Sequence, residues 1–355
     1  MSGTRTLRGP LARVGAVALA AALALTGCSL KEAAPGSGGG SAAGTASSAA
    51  SASGASTTAD VPSLEGKTVG IAAKDIVHDF SRVVYEQLQK RVKDLGGKVI
   101  ATQAEAKDDK HVSDVENLIT QKPDAIIVIL GDAQTLTPAL KKVHDAGIAL
   151  FTINFQSEYS TNNVSSDDWQ IGETLARTLA EDMGGKGKVL VFNGFPGVTP
   201  CRIRYNELKL VLQDYPDIQL LKPELQDKYD GTIEDAKKQI EDQLRLHPKG
   251  EIDAVWSCWD IPQIGAAQAI DAAGRNEIKL YGVDAEPGAL DLIADPKSSY
   301  AFTVAQQTTK MAQASADNVA LALGGRADEV PTTSYLSPEF VTKKNVEQVR
   351  SELGI

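Results

Sequence analysis

Asp124-Ala-Ile-Ile-Val-Ile-Leu130 is the stretch that decides the fold. An apolar run this short, opened by an acid and closed by Gly131-Asp132, reads as a strand covered on both faces, as in a parallel sheet between helices. Upstream, Lys67-Thr-Val-Gly-Ile-Ala-Ala73 and Lys98-Val-Ile-Ala-Thr102 have the same character. Between them Phe80, Val83, Val84, Leu88, Val92 and Leu95 recur at helical spacing until Gly96-Gly97 stops the helix. Val112–Thr120 is the next helix. Downstream, helix Leu136–Ala146 ends at Gly147, and Ile148-Ala-Leu-Phe-Thr-Ile-Asn154 is a fourth strand. This alternation predicts βαβ units and an α/β fold with a doubly wound parallel sheet.

The pattern then restarts. Helix Trp169–Met183, strand Lys188–Asn193, helix Arg202–Asp214, strand Ile218–Leu221 and helix Thr232–Leu246 follow in order. Strand Asp253–Cys258, helix Gln263–Ala273 and strand Ile278–Asp284 complete the set. Asp124…Gly147…Asn154 is echoed by Asp253…Gly274…Asp284, an offset of about 130 residues that is too long for a solenoid and fits two similar lobes. A late strand (Tyr300–Ala305), a helix (Thr308–Leu323) and a short segment at Phe340-Val-Thr-Lys343 indicate that the chain crosses back to the first lobe. Several crossings make a hinge, and a hinge between lobes makes a cleft.

At the other end, Arg5, Arg8 and Arg13 precede an apolar core from Val14 to Leu25. That core is about a dozen residues, below the ~18–20 a spanning helix needs, and reads as an export signal. Leu25-Thr26-Gly27-Cys28 resembles the lipobox of bacterial lipoproteins. Residues 1–27 are therefore expected to be a signal peptide, with Cys28 lipidated and holding the protein outside the cytoplasm on the membrane. An ordinary secretory peptide cleaved nearby is the alternative. Residues 28–63, rich in Ser, Ala and Gly, have no apolar surface to offset ordering entropy and are expected to be a flexible linker.

The formal charge of the 355 residues is −10, and −13 once Arg5, Arg8 and Arg13 are gone. An acidic chain without a Lys/Arg-rich tract argues against nucleic acid as a partner. The four histidines (His78, His111, His144 and His247) are scattered, and no catalytic triad or metal spacing stands out. Gly184-Gly-Lys-Gly-Lys188 lacks the spacing of a phosphate loop and precedes a strand, so it reads as a turn. No cofactor, no metal and no catalytic residue is expected, which leaves a hydrolase as the weakest option.

Several pieces in order resemble the sugar-binding proteins of bacterial ABC importers, the type I periplasmic fold in its ribose-binding-like branch. They include Gln121-Lys-Pro-Asp-Ala-Ile-Ile, Leu140-Lys-Lys-Val-His-Asp-Ala-Gly-Ile, Ser166-Asp-Asp, Met183-Gly-Gly-Lys-Gly-Lys-Val, Gly194-Phe-Pro-Gly, Tyr215-Pro-Asp-Ile, Gly282-Val-Asp-Ala and Thr303-Val-Ala-Gln-Gln. The resemblance implies two Rossmann-like lobes joined by three crossovers, with ligand bound between them. The N-terminal lobe would be 64–165 plus 307–332 and the C-terminal lobe 166–306 plus 333–355. It also implies a monomeric receptor that captures a sugar or polyol and delivers it to an ABC permease. Presentation of the ligand to a membrane sensor would use the same cleft. A sugar-responsive repressor shares the fold but carries a helix-turn-helix where this chain has its export signal.

Sugar hydroxyls call for planar hydrogen-bonding groups, and sugar C–H faces call for aromatic rings. In open α/β folds such groups collect at the C-terminal ends of strands. By the resemblance, Asp284 is the carboxylate that accepts two hydroxyls and Arg202 the sugar-contacting arginine, with Arg204 the runner-up. Gln306 is a ligand amide at a crossover, and Phe80 and Tyr229 are stacking rings, although a core role for Phe80 is also open. Asn154-Phe155 stands where many members have Asp-Arg. Val77-His78-Asp79-Phe80 replaces an Asn-Pro-Phe-Phe-like loop, and Trp259 replaces a common asparagine. Asp79 and Trp259 complete the expected ligand set, and these departures put ribose itself in doubt. Cys201 and Cys258 both follow second-lobe strands, where a disulfide can form; two buried free thiols are the alternative.

Overall fold

The structure, a computed structural model, describes residues 61–354. Cys28, the signal segment and nearly all of the linker lie outside the described residues. The chain opens with β1 (Thr68–Ala73), α1 (Asp79–Asp94), β2 (Lys98–Gln103), α2 (Asp108–Thr120), β3 (Ala125–Ile129), α3 (Ala133–Asp145), β4 (Ala149–Ile153) and β5 (Asn162–Ser166). It continues with α4 (Asp168–Asp182), β6 (Lys186–Phe192), α5 (Thr199–Val211), β7 (Asp217–Leu220), α6 (Thr232–Leu246), β8 (Ala254–Ser257) and α7 (Asp260–Ala272). Next come β9 (Lys279–Tyr281), α8 (Pro287–Ala294), β10 (Tyr300–Ala305), α9 (Thr308–Leu323), β11 (Thr333–Leu336), β12 (Glu339–Thr342) and α10 (Val346–Leu353).

Two six-stranded sheets result, in the orders β11-β5-β4-β3-β1-β2 and β12-β10-β9-β8-β6-β7. Every neighbouring pair is parallel except β10 with β12. The apolar run quoted first explains the layering. Ala125, Ile127 and Ile129 enter one core of the first lobe, with Phe151 and Met311, while Ile126 and Val128 enter the other, with Leu118 and Leu140. A strand greasy on both faces can lie only between two helical layers. In the second lobe Val255 faces one core, and Ala254 and Trp256 face the other.

The chain passes between the sheets three times: after β5, after β10, and between β11 and β12. The helix α9 belongs to the first lobe, where Met311, Ala312, Val319 and Ala320 join its core and Asp317 pairs with Arg91 of α1 at 2.8 Å. Two expected lobe boundaries change. Ser166 closes β5 of the first sheet, and residues 333–336 form β11 of that sheet, in parallel register from Thr333↔Asn163 to Leu336↔Ser166. Both segments escape a reading by hydrophobicity because Asn162-Asn-Val-Ser-Ser166 is mostly polar and Thr333-Ser-Tyr-Leu336 is a half-exposed edge. The polar β5 is nonetheless buried, since Asn162 donates to the Pro331 carbonyl (2.8 Å) and Asn318 donates to Asn162 (3.0 Å). No helix among the described residues is long and apolar enough to cross a membrane.

Cys201, in the first turn of α5, and Cys258, just past β8, are joined by a disulfide with α-carbons 5.0 Å apart. It closes a loop spanning a sequence separation of 57. Removing both thiols with C201A/C258A is expected to cost about 2–4 kcal/mol, chiefly by freeing the unfolded chain. Urea denaturation would read this as a lower midpoint, and an unchanged midpoint would contradict it.

Candidate ligand-binding site

The two sheets turn the C-terminal ends of their strands toward one cavity between the lobes, with a volume of about 60 Å³. Asp75 follows β1, Leu130 follows β3 and Asn154 follows β4 from the first lobe. Phe195, Trp259 and Asp284 follow β6, β8 and β9 from the second, and Gln306 follows β10 at the second crossing. At three of these ends the backbone takes positive φ without glycine: Leu130 (57°), Asn154 (63°) and Asp284 (121°). Such conformations persist where the surroundings hold them, and here they aim side chains off the strand ends into the cavity.

A chain of polar contacts runs through the wall and joins both lobes. Gln306 Nε2 donates to Asp284 Oδ1 at 2.6 Å, and Asn154 Nδ2 donates to Gln306 Oε1 at 3.5 Å. Ser165 Oγ donates to Asn154 Oδ1 at 3.1 Å and lies 3.4 Å from Asp168 Oδ2. Asp168 accepts from Arg204 Nε at 2.9 Å, and Arg204 Nη1 donates to the Cys258 carbonyl at 2.8 Å. Both members of the Asp168–Arg204 pair are 3% exposed.

Rings close the other end. Phe195 and Tyr229 have centroids 4.4 Å apart, and Trp259 lies 5.6 Å from Phe195 and 5.8 Å from Tyr229. Trp259 Nε1 donates to Asp227, which also accepts from the Gly194 backbone at 2.5 Å. His78, from the first lobe, stands edge-on to Trp259 at 5.0 Å. The lobes touch elsewhere too. Asp132 and Val198 form an antiparallel bridge, and a β-carbon on Gly197 would fall 1.8 Å from Asp132 Oδ2, so any other residue there would displace the Asp132 carboxylate.

Asp284, Gln306, Asn154, Phe80, Trp259 and Tyr229 all line this cavity. Phe80 does so while also packing in the first-lobe core. Two expected residues do not reach it. Arg202 is exposed and lines a separate opening with Trp169 and Tyr335. Two residues along an α-helix turn the side chain about 200°, so Arg204, the runner-up, points inward instead. Asp79 opens α1, pairs with Arg82 at 2.7 Å and lines the neighbouring groove; Asp75 takes the inner position. Sequence reasoning missed Asp75, His78, Phe195 and Asp227. The acid two residues past β1 was the available signal for Asp75, while Asp227 lies on an irregular loop with no periodic pattern. Among the described residues no cluster could hold a metal ion.

The carboxyls behind the cavity are unusually basic. Burial pushes Asp284 up to about 7, against the opposing pull of Arg204, and pushes Asp260 up to about 6. Glu286 is pushed to about 8, first by burial and then by Asp284 and Asp260. Asp260 is held in place by Tyr300 Oη (2.7 Å), Thr303 Oγ1 (2.8 Å) and the Glu286 backbone N–H (3.1 Å).

Residues 69–327 match the family described as "periplasmic binding protein domain". The chain belongs to that family, in its ribose-binding branch. It is 30% identical over 257 residues to the ribose import binding protein RbsB of Bacillus subtilis, covering 71% of this chain and 81% of that one. A solved ABC sugar transporter subunit from Rhodobacter sphaeroides is 42% identical (TM-score 0.78; 80% of this chain, 100% of that one). An ABC transporter solute binding protein from Agrobacterium vitis, solved with bound allitol, is 45% identical (TM-score 0.80; 82% of this chain, 100% of that one). Like these relatives, this periplasmic binding protein is not an enzyme.

Two outcomes follow from the wall of the cavity. R204A strands the Asp168 carboxylate in the interior, which is expected to cost about 3–5 kcal/mol in chemical denaturation. The raised carboxyls set a pH trend. Folded Asp284, Asp260 and Glu286 hold protons that the unfolded chain, with ordinary values of 3.8 and 4.5, releases earlier. Stability without ligand should therefore fall as pH rises from about 4 to about 8, and D284N should flatten that slope in a series of melting curves.

Proposed function

We propose that this chain is an extracytoplasmic solute-binding lipoprotein that captures a neutral sugar or polyol between its lobes and delivers it to an ABC import permease. The observation that carries the reading is the cavity itself, where Asp284, Asn154 and Gln306 offer planar polar groups beside the rings of Phe80, Tyr229 and Trp259. Carboxylate and amide groups pair with vicinal hydroxyls, and the rings cover C–H faces. Arg204 is already neutralised by Asp168, so the wall offers little to an anionic solute. The allitol held by the Agrobacterium vitis relative supports a polyol as the ligand class. Ligand bridging both lobes favours the closed arrangement, the state a permease would recognise. The lipid on Cys28 and the linker to residue 63 would keep the receptor near that permease.

The test is a thermal-shift screen of pentoses, hexoses, polyols and cyclitols, since binding to the native state raises the melting temperature. At least one small polyhydroxylated compound should stabilise the protein, and D284A should weaken it roughly 10- to 150-fold, the worth of a hydrogen bond to a charged group. No stabilisation by any of them would refute the reading. For the anchor, C28A in the producing cell should move the protein from the membrane fraction to the soluble one.

A further inference from the structure

The loop between β1 and α1 carries a first-lobe side chain into the ring cluster of the second lobe. The His78 ring is edge-on to Trp259 at 5.0 Å and nearly parallel to Tyr229 at 6.2 Å. Asp75 fixes the loop from behind: it is 1% exposed and accepts from the backbone N–H of Val77 at 3.0 Å and of His78 at 3.5 Å. The His78 ring lies close enough to the Tyr229 backbone for that backbone to favour the ring's protonated form. Its Nε2, in contrast, is buried and without a hydrogen-bond partner among the described residues, and the residue lines the cavity.

The tautomer follows from these contacts. The Tyr229 backbone favours an N–H on the ring nitrogen that faces it, and since Nε2 is the nitrogen without a partner, Nδ1 takes that proton. A neutral imidazole then carries its lone pair on Nε2. Burial keeps the ring below the usual histidine value and neutral near pH 7, although Asp75, Asp79 and Asp230 pull the other way. An acceptor shut away from water, in a cavity that a polyhydroxylated solute would fill, lacks only a hydroxyl.

We propose that His78 Nε2 accepts a hydrogen bond from one hydroxyl of the bound ligand, which makes His78 a specificity-determining residue of the cleft. Because His78 and the rings around it come from different lobes, closure packs the second-lobe rings around this bond. The inference rests on the reading of the cleft as a sugar or polyol site.

The test is calorimetric titration of the full-length chain and three variants with allitol. His78 sits at the N-cap of α1 but makes no side-chain capping bond, so replacing it removes no cap. A glutamine amide reaches the position of Nε2, whereas an asparagine amide reaches only that of Nδ1. H78A and H78N should therefore weaken allitol by about 10-fold or more, while H78Q stays within about 3-fold. H78N and H78Q lose the same ring contacts with Trp259 and Tyr229 and should lower the melting temperature without allitol equally, so a difference between them in allitol affinity reports the Nε2 bond. H78A binding within about twofold of the native chain overturns the proposal, as do equal losses in H78N and H78Q. If the native chain binds neither allitol nor any compound in the screen, the reading of the cleft fails first and takes the proposal with it.

Discussion

The buried pair of Asp168 and Arg204 stands where the chain first leaves one lobe for the other, and the site is arranged around it. Asp168 is the first residue of α4, just past the crossing, and Arg204 lies on α5, the helix packed against α4. Taking two charges out of water is expensive, so the pair is stable only with its remaining hydrogen bonds satisfied. Several are: Ser165 approaches one side of the carboxylate, and the Cys258 carbonyl accepts from the guanidinium. Those two neighbours belong to different lobes, and Cys258 is itself tied to α5 by the disulfide. The crossing, the helix pair and one wall of the cavity are thus fixed by a single set of contacts.

From that fixed point the polar chain continues through Asn154 and Gln306 to Asp284. Each of these residues ends a strand or sits at a crossing, so relative movement of the lobes cannot leave the chain of hydrogen bonds undisturbed. Networks of this kind specify geometry more than they add stability, since half-satisfied polar groups in a low dielectric are costly. The positive φ of Asn154 and Asp284 fits the same account: local backbone preference is overridden at the two ends where side chains must turn inward.

Most of the fold was legible in the sequence because a doubly covered parallel strand leaves a plain mark. The run from Ala125 to Leu130, its echo at Asp253–Cys258 and the glycines that close several helices (Gly96, Gly147, Gly184 and Gly274) place the layers before any coordinates. What escaped were elements whose burial is polar. β5 contributes Asn162, Asn163, Ser165 and Ser166 to the interior, and a hydrophobicity pattern passes over them; β11 is an edge with no pattern at all. The site divides the same way. Residues at strand ends (Asp284, Asn154, Trp259 and Gln306) follow from the rule that such ends line the cleft. Residues on a helix or an irregular loop do not. The choice between Arg202 and Arg204 depends on the phase of α5, and Asp227 becomes visible only once Trp259 is seen to donate to it.

The cavity also has an energetic asymmetry. Behind it lie Asp284, Asp260 and Glu286, carboxyls that burial makes reluctant to ionise. Without ligand, closing the lobes deepens the burial of Asp284, whose donor, Gln306, already stands beside it at the end of the neighbouring strand. An ionised carboxylate has room for several donors, so one amide leaves it under-satisfied. Polyol hydroxyls are donors that need no counter-charge, and two of them on one carboxylate would repay its desolvation. On the proposed reading the empty closed form is therefore held back by the same residue that the filled closed form uses. A receptor built this way closes on a polyhydroxylated solute and resists closing on water alone.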